Sequence, residues 1–174
     1  TFDGTFARLL AASQTERLNR HTPYSSLVRV GWPNNRSRPE PGRMIAEAFL
    51  REYPNDPAVL TAAAAAFQSA GDEPRSAELA RDALDRIRAD RDLDSEDLRM
   101  LEELARILPE PDRTAFVEKV SADRRNGGTS ALDLACGALF LAQGEHDLPA
   151  FELLKAAFER DPSDQRVRRL LIDF

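Results

Sequence analysis

PAVLTAAAAAFQSAGDEPRSAELARDALDRIRAD, residues 57 to 90, is the stretch whose reading decides the fold. Asp56 before Pro57 is an N-cap followed by a proline in the first helical turn, where a missing N–H costs nothing because that donor has no intrahelical partner. Val59, Leu60, Ala63, Ala64 and Phe67 then recur at helical spacing. Gly71 ends the run, since glycine accepts the left-handed conformation that other residues resist. Asp72 opens a second helix with Ala77, Ala80, Ala83, Leu84 and Ile87 on one face. The stretch is thus a short antiparallel helical hairpin. The five alanines from Ala62 to Ala66 leave a helix that others can approach closely, because little side chain keeps them away.

Working outward, the helical period returns on either side. Residues 42 to 53 carry Met44, Ile45, Ala46, Phe49 and Leu50 and end at Tyr53-Pro54. Downstream, Asp94 caps a helix with Leu98, Leu101, Leu104, Ala105 and Leu108 inward. Pro109 to Asp112 is expected to turn the chain, and Ala115, Phe116, Val117 and Val120 mark a returning helix to about Arg125. Asn126-Gly127-Gly128 reads as a flexible connector. Thr129-Ser130 caps the next helix, Gly144-Glu145 turns it, and Ala150, Leu154 and Ala157 lie on the return before Asp161-Pro162. A last helix over 164 to 172 offers Val167, Leu170 and Leu171. At the other end, Phe6, Leu9, Leu10 and Leu18 suggest a helix over 5 to 19, and four prolines with Gly31 and Asn34-Asn35 make residues 20 to 41 irregular.

The hairpin of residues 57 to 90 resembles a tetratricopeptide repeat. Ala64, Phe67, Gly71, Asp72, Ser76, Ala80 and Ala83 all match the small, aromatic and Gly-Asp positions of that 34-residue pattern. Leu60 stands where the family carries a bulkier hallmark residue, and Arg88 where it carries proline. Cys136-Gly137-Ala138-Leu139-Phe140 repeats the motif, with one inserted residue in the turn at Gly144. Residues 42 to 53 fit the second helix of a preceding unit. The resemblance implies an all-α, right-handed α-solenoid of helical hairpins over 42 to 174, in one domain with an N-terminal helix and a Trp/Arg-rich loop over 1 to 41. A closed helical bundle is the alternative that the same periods permit.

Composition narrows the classes of function. With 174 residues, 42% hydrophobic and 31% charged, the chain is globular rather than disordered. A net charge of −6 argues against a general nucleic-acid binder, whose affinity rests on neutralising phosphates. No apolar run reaches the ~20 residues of a membrane-spanning helix. The single cysteine, Cys136, excludes an intrachain disulfide and reads as a small packed side chain. His21 and His146 sit in no metal-ligand spacing, and a Cys136–His146 nucleophile and base is disfavoured because the thiol should point inward. The expectation is a non-enzymatic, soluble chain without cofactor or metal, and the residues do not choose between cytoplasm and periplasm. The 22 arginines against 2 lysines read as coding bias more than as chemistry.

Two places could hold a partner. The resemblance implies a concave groove lined by Thr61, Ala65 and Gln68, by Arg99, Glu103 and Arg106, and by Leu134, Ala138 and Leu141. Small and aliphatic residues left wet over such a groove would cost free energy. Either the chain's own helices make it ordinary core, or an amphipathic partner helix lies there with Arg99 and Arg106 taking its acidic groups, or self-association or the 20 to 41 segment covers it. The second place is residues 17 to 43, which carry net +5 and leave −11 for the remainder. There Tyr24, Trp32, Arg36 and Arg38 could contact an acidic protein surface, a phosphate-bearing ligand or, by stacking, single-stranded nucleic acid, or Trp32 could plug one end of the repeats while the arginines pair with the acidic scaffold. The functional expectation is a protein-interaction scaffold for a protein or peptide. The alternative is a regulatory or assembly domain of a larger enzyme or envelope-assembly protein, since the chain begins without methionine.

Overall fold

The computed structural model describes residues 39–89, 95–125, 127–144 and 146–173. Among these the protein is all helical. The elements are α1 (Pro39–Glu52), α2 (Pro57–Ser69), α3 (Glu73–Ala89), α4 (Ser95–Ile107), α5 (Glu110–Arg125), α6 (Ala131–Ala142), α7 (Asp147–Arg160) and α8 (Gln165–Asp173). The described residues up to Arg86 belong to one compact unit and those from Ile87 to a second.

In the first unit, the expected cap of α2 is present in atomic detail. Asp56 Oδ1 accepts hydrogen bonds from the amides of Ala58 at 2.8 Å and Val59 at 3.2 Å, satisfying donors that have no intrahelical acceptor. At the other end Gly71 has φ +81°, and the amides of Asp72 and Gly71 donate to the carbonyls of Phe67 and Gln68 at 2.9 and 3.0 Å. That paired closure is a Schellman stop, and it turns the chain into α3. Every residue of α2 from Ala58 to Phe67 is buried, so the helix is covered all round rather than along one stripe. α1 packs against it. The start of α3 is tied to it by Ser76, a buried hydroxyl that donates to the Ala64 carbonyl at 2.8 Å.

α1 begins at Pro39, three residues before the expected Gly42, because proline's fixed φ suits a first turn. Met44, expected inward, is 57% exposed, whereas Ile45, Ala46 and Phe49 are buried. At about 3.6 residues per turn, Met44 falls on the side opposite the stripe centred on Ala46 and Phe49.

The second unit is built around α6, which packs against α4, α5, α7 and α8. Ser130 Oγ caps it by accepting from the Asp133 amide at 3.0 Å. Gly137 lies at its tightest point: a Cβ there would stand 3.1 Å from Leu153 Cδ1 and 3.6 Å from Val120 Cγ1. The His146 amide closes the end of α6 onto the Leu141 carbonyl at 3.1 Å, one residue later than the equivalent bond to Phe67 when Phe140 is aligned with Phe67. The extra residue of this turn is thereby accommodated.

Three expectations are corrected here. Glu110-Pro111-Asp112 form the first turn of α5, with the Pro109 carbonyl accepting from the Asp112 and Arg113 amides; a proline in a first turn forfeits no intrahelical bond. Ala115 is exposed and Phe116 and Val117 only half-buried, so Val120 alone is fully inside. The glycine pair at 127–128 is a hydrogen-bonded helix stop: Gly127 has φ +75°, and the Gly127 and Gly128 amides donate to the Arg124 and Asp123 carbonyls. Arg160 of α7 clamps that turn, donating from Nε to the Thr129 carbonyl at 3.1 Å and from Nη2 to that of Gly127 at 2.8 Å.

Since no atom lies within 4 Å of a Cβ placed on Gly71, Gly127 or Gly128, substitution there tests the backbone alone. Gly71→Ala and Gly127→Ala are each expected to lose about 1 kcal/mol in urea denaturation, and Gly128→Ala, without a positive φ, about 0.5 kcal/mol or less. Equal losses at all three would remove the left-handed stops as their cause. In the turn before α8, hydrogen bonds from the Ser163 hydroxyl and amide to Asp161 Oδ1 hold that carboxyl below its ordinary pKa. The charged form therefore supports the turn above the ordinary carboxylate range, and this support fades as pH falls through the lowered value. Ser163→Ala should bring the Asp161 titration, followed by carboxyl NMR, back toward the ordinary range.

Candidate functional site

The residues expected to line a groove divide by burial. In the first unit Thr61 and Ala65 are buried, Thr61 turning its hydroxyl onto the Pro57 carbonyl at 2.8 Å, while Gln68 is exposed. In the second, Leu134 and Ala138 are buried; Arg99 and Arg106 are exposed; Glu103 and Leu141 are half-buried. Thr61, Ala65, Leu134 and Ala138 thus present no open surface. The reason is the one that makes α2 and α6 central: small side chains on several faces let neighbours close in on all of them. Arg106 Nη1 meets Glu103 Oε2 at 2.8 Å, an exposed pair one turn apart. Tyr24, Trp32, Arg36 and Arg38 lie outside the described residues. Cys136 is fully buried, whereas His146 is exposed.

Leu141 opens onto a cleft of about 410 Å³ between α5 and the end of α6. Val117, Phe140 and Leu141 contribute its apolar lining, and Glu110, Arg113, Thr114, Glu118 and His146 its polar one. The floor is held from behind. Phe140 is buried and meets the Phe116 ring edge-on, with centroids 5.1 Å apart and planes at 68°. The Arg88 guanidinium covers Phe116 at 5.0 Å from the ring centroid, and its Nε meets Asp133 Oδ1 at 2.5 Å. With Arg88 27% and Asp133 19% exposed, this pair is better shielded from water than a surface ion pair. Arg113, on the rim, donates from Nη1 to the Ala105 carbonyl at 2.9 Å, tying α5 to the last turn of α4.

A depression in the first unit, about 570 Å³, is lined by Arg43, Glu47, Leu50, Arg51, Phe67, Asp72 and Arg75. Its arginines are engaged: Arg43 pairs with Glu47, Arg51 Nε donates to the Glu47 carbonyl, and Arg75 pairs with Glu78. By contrast, no ion pair joins Glu110 or Glu118 to a described residue.

Sequence reasoning passed over Arg88, Glu110, Arg113 and Glu118. Arg88 did carry a signal, as the arginine standing where the repeat pattern has proline. The other three sit among the charges of an exposed helix, where periodicity gives no reason to single them out. No group of three or more His, Cys, Asp or Glu among the described residues is placed to hold a metal ion, and no described helix is long and apolar enough to cross a membrane. Comparison of the chain with protein-family models, with curated proteins and with solved structures returns no match.

If the Arg88–Asp133 pair is what fixes the ring stack, Arg88→Ala and Asp133→Ala should couple. A double-mutant cycle by urea denaturation is expected to give about 1 kcal/mol. Strict additivity would mean that the two residues act independently.

Proposed function

We propose that the protein is a non-enzymatic interaction scaffold, a right-handed tetratricopeptide-like solenoid that holds a protein or peptide partner on the exposed side of α4 to α6. The packing around α6 supports the architecture. In stacked hairpins, a first helix touches its own second helix, both helices of the hairpin before and the first helix of the hairpin after. α7, α4, α5 and α8 stand in those roles. Ser76 and Gly137, at small-residue positions of the repeat, meet close approaches, and Gly71, at its turn position, takes the left-handed φ that the pattern demands.

The cleft carries the functional reading. An apolar floor with a charged rim is the form of a site that takes one anchoring side chain from a partner, excluding water around it while the rim selects by charge. Leu141 belongs to that floor, and Arg99, Glu103 and Arg106 offer further polar contacts on α4. The buried members of the expected groove, Thr61, Ala65, Leu134 and Ala138, serve as packing.

A photo-reactive side chain at position 141 is expected to crosslink a protein from source-cell extract, and the same probe at exposed Arg81 is not. Leu141→Glu should abolish retention of that protein on immobilised chain with helicity unchanged by circular dichroism. Undiminished retention by Leu141→Glu would refute the reading.

A further inference from the structure

Resting on that reading, we infer that the α5–α6 cleft takes a basic segment: one apolar side chain on the Val117–Phe140–Leu141 floor, flanked by a cationic side chain at Glu110 and another at Glu118.

The charge balance of the cleft points this way. Glu110 and Glu118 are both exposed and without an ion-pair partner among the described residues. Arg113, the one arginine of the cleft, already donates to the Ala105 carbonyl. An incoming cation therefore meets two carboxylates that no described cation already pairs, and an incoming anion meets those two carboxylates against a single guanidinium. Burial adds the middle of the pattern. Phe140 is locked under Phe116 and Val117 is half-buried, so the floor is preformed and can accept an aliphatic side chain without rearranging.

Spacing sets the register. Glu110 and Glu118 are eight residues apart on one helix, about 12 Å along its axis. An extended peptide advances about 3.3 Å per residue, so cations four residues apart span that distance with the apolar residue midway. The arginine-lined depression of the first unit offers no such preference, because its arginines are paired or bonded to a carbonyl.

The test uses the full chain labelled with nitrogen-15 and two blocked peptides, Gly-Lys-Ser-Leu-Ser-Lys-Gly and its Glu-for-Lys counterpart. The lysine peptide is expected to shift the Thr114 and Gly144 amides saturably, and raising salt from 50 to 300 mM should weaken it. Glu110→Gln and Glu118→Gln should each weaken it about threefold, and together about tenfold. Val117→Ser should weaken it comparably while leaving the salt dependence intact. Equal binding of both peptides, or binding indifferent to the glutamine variants, would overturn the basic-segment assignment and leave the scaffold reading standing. That reading fails separately, on undiminished partner retention by Leu141→Glu. The assignment is equally overturned if neither peptide binds, or if sedimentation shows self-association that Glu110→Gln with Glu118→Gln abolishes, which would make a second copy of this chain the occupant.

Discussion

How closely two helices can approach is decided by the side chains between them, and in this protein the residues at the closest contacts are small. At Gly137 the neighbouring side chains of Leu153 and Val120 occupy the space that a Cβ would need. At Ala64 the contact is near enough for the Ser76 hydroxyl of the next helix to reach a backbone carbonyl already within a helix. α2 and α6 therefore bury nearly their whole circumference, unlike an ordinary amphipathic helix with one dry stripe. A helix covered all round gains more from burial than propensity alone could give it, and it fixes the helices that surround it.

That same property explains what the amino-acid sequence disclosed and what it hid. Helix ends were legible because they depend on local chemistry: the Asp56 carboxylate, the Ser130 hydroxyl and the left-handed Gly71 each act within a few residues of their own position. Periodicity identified Leu101, Leu104 and Ala105 of α4 as inner residues but not Met100 and Ile107, which are also buried; it says which side chains share a face and not how many neighbours cover that face. Thr61 and Ala65 on α2, and Leu134 and Ala138 on α6, lie on faces that a groove could have used, and they are core. Met44 and Ala115 show the converse error, apolar residues admitted to a stripe although the helical angle carries them out of it. The glycine pair at 127–128 looked loose because Arg160, which clamps it, lies more than thirty residues later.

Arginine does structural chemistry here that a count of charges conceals. Arg113 donates to a carbonyl in the last turn of α4, where acceptors are left unpaired and the helix dipole favours a cation, and Arg160 donates to two carbonyls of the connector between α5 and α6. Arg88 instead spreads its planar guanidinium over Phe116 while its Nε engages Asp133. A lysine could donate to one carbonyl or neutralise a carboxylate, but it lacks the flat, multiply donating head that lets one side chain bridge two carbonyls, as Arg160 does, or stack and pair at once, as Arg88 does. The excess of arginine over lysine thus has uses in the fold, whatever its origin in the source.

Those engagements shape the surface that remains. In a chain with net charge −6, arginines committed to carbonyls, as Arg113 and Arg160 are, have donors turned away from the surrounding carboxylates. Around the α5–α6 cleft the result is local: Arg113 is turned toward α4, and Glu110 and Glu118 remain at the edge of an apolar floor stiffened by Phe116 and Phe140. The contacts that secure the floor and the contact that occupies the rim arginine both serve the packing of α5. A cleft with an apolar floor and a carboxylate rim therefore arises as a by-product of holding that helix in place, and a change that loosened α5 would alter the shape of the cleft and its charge together.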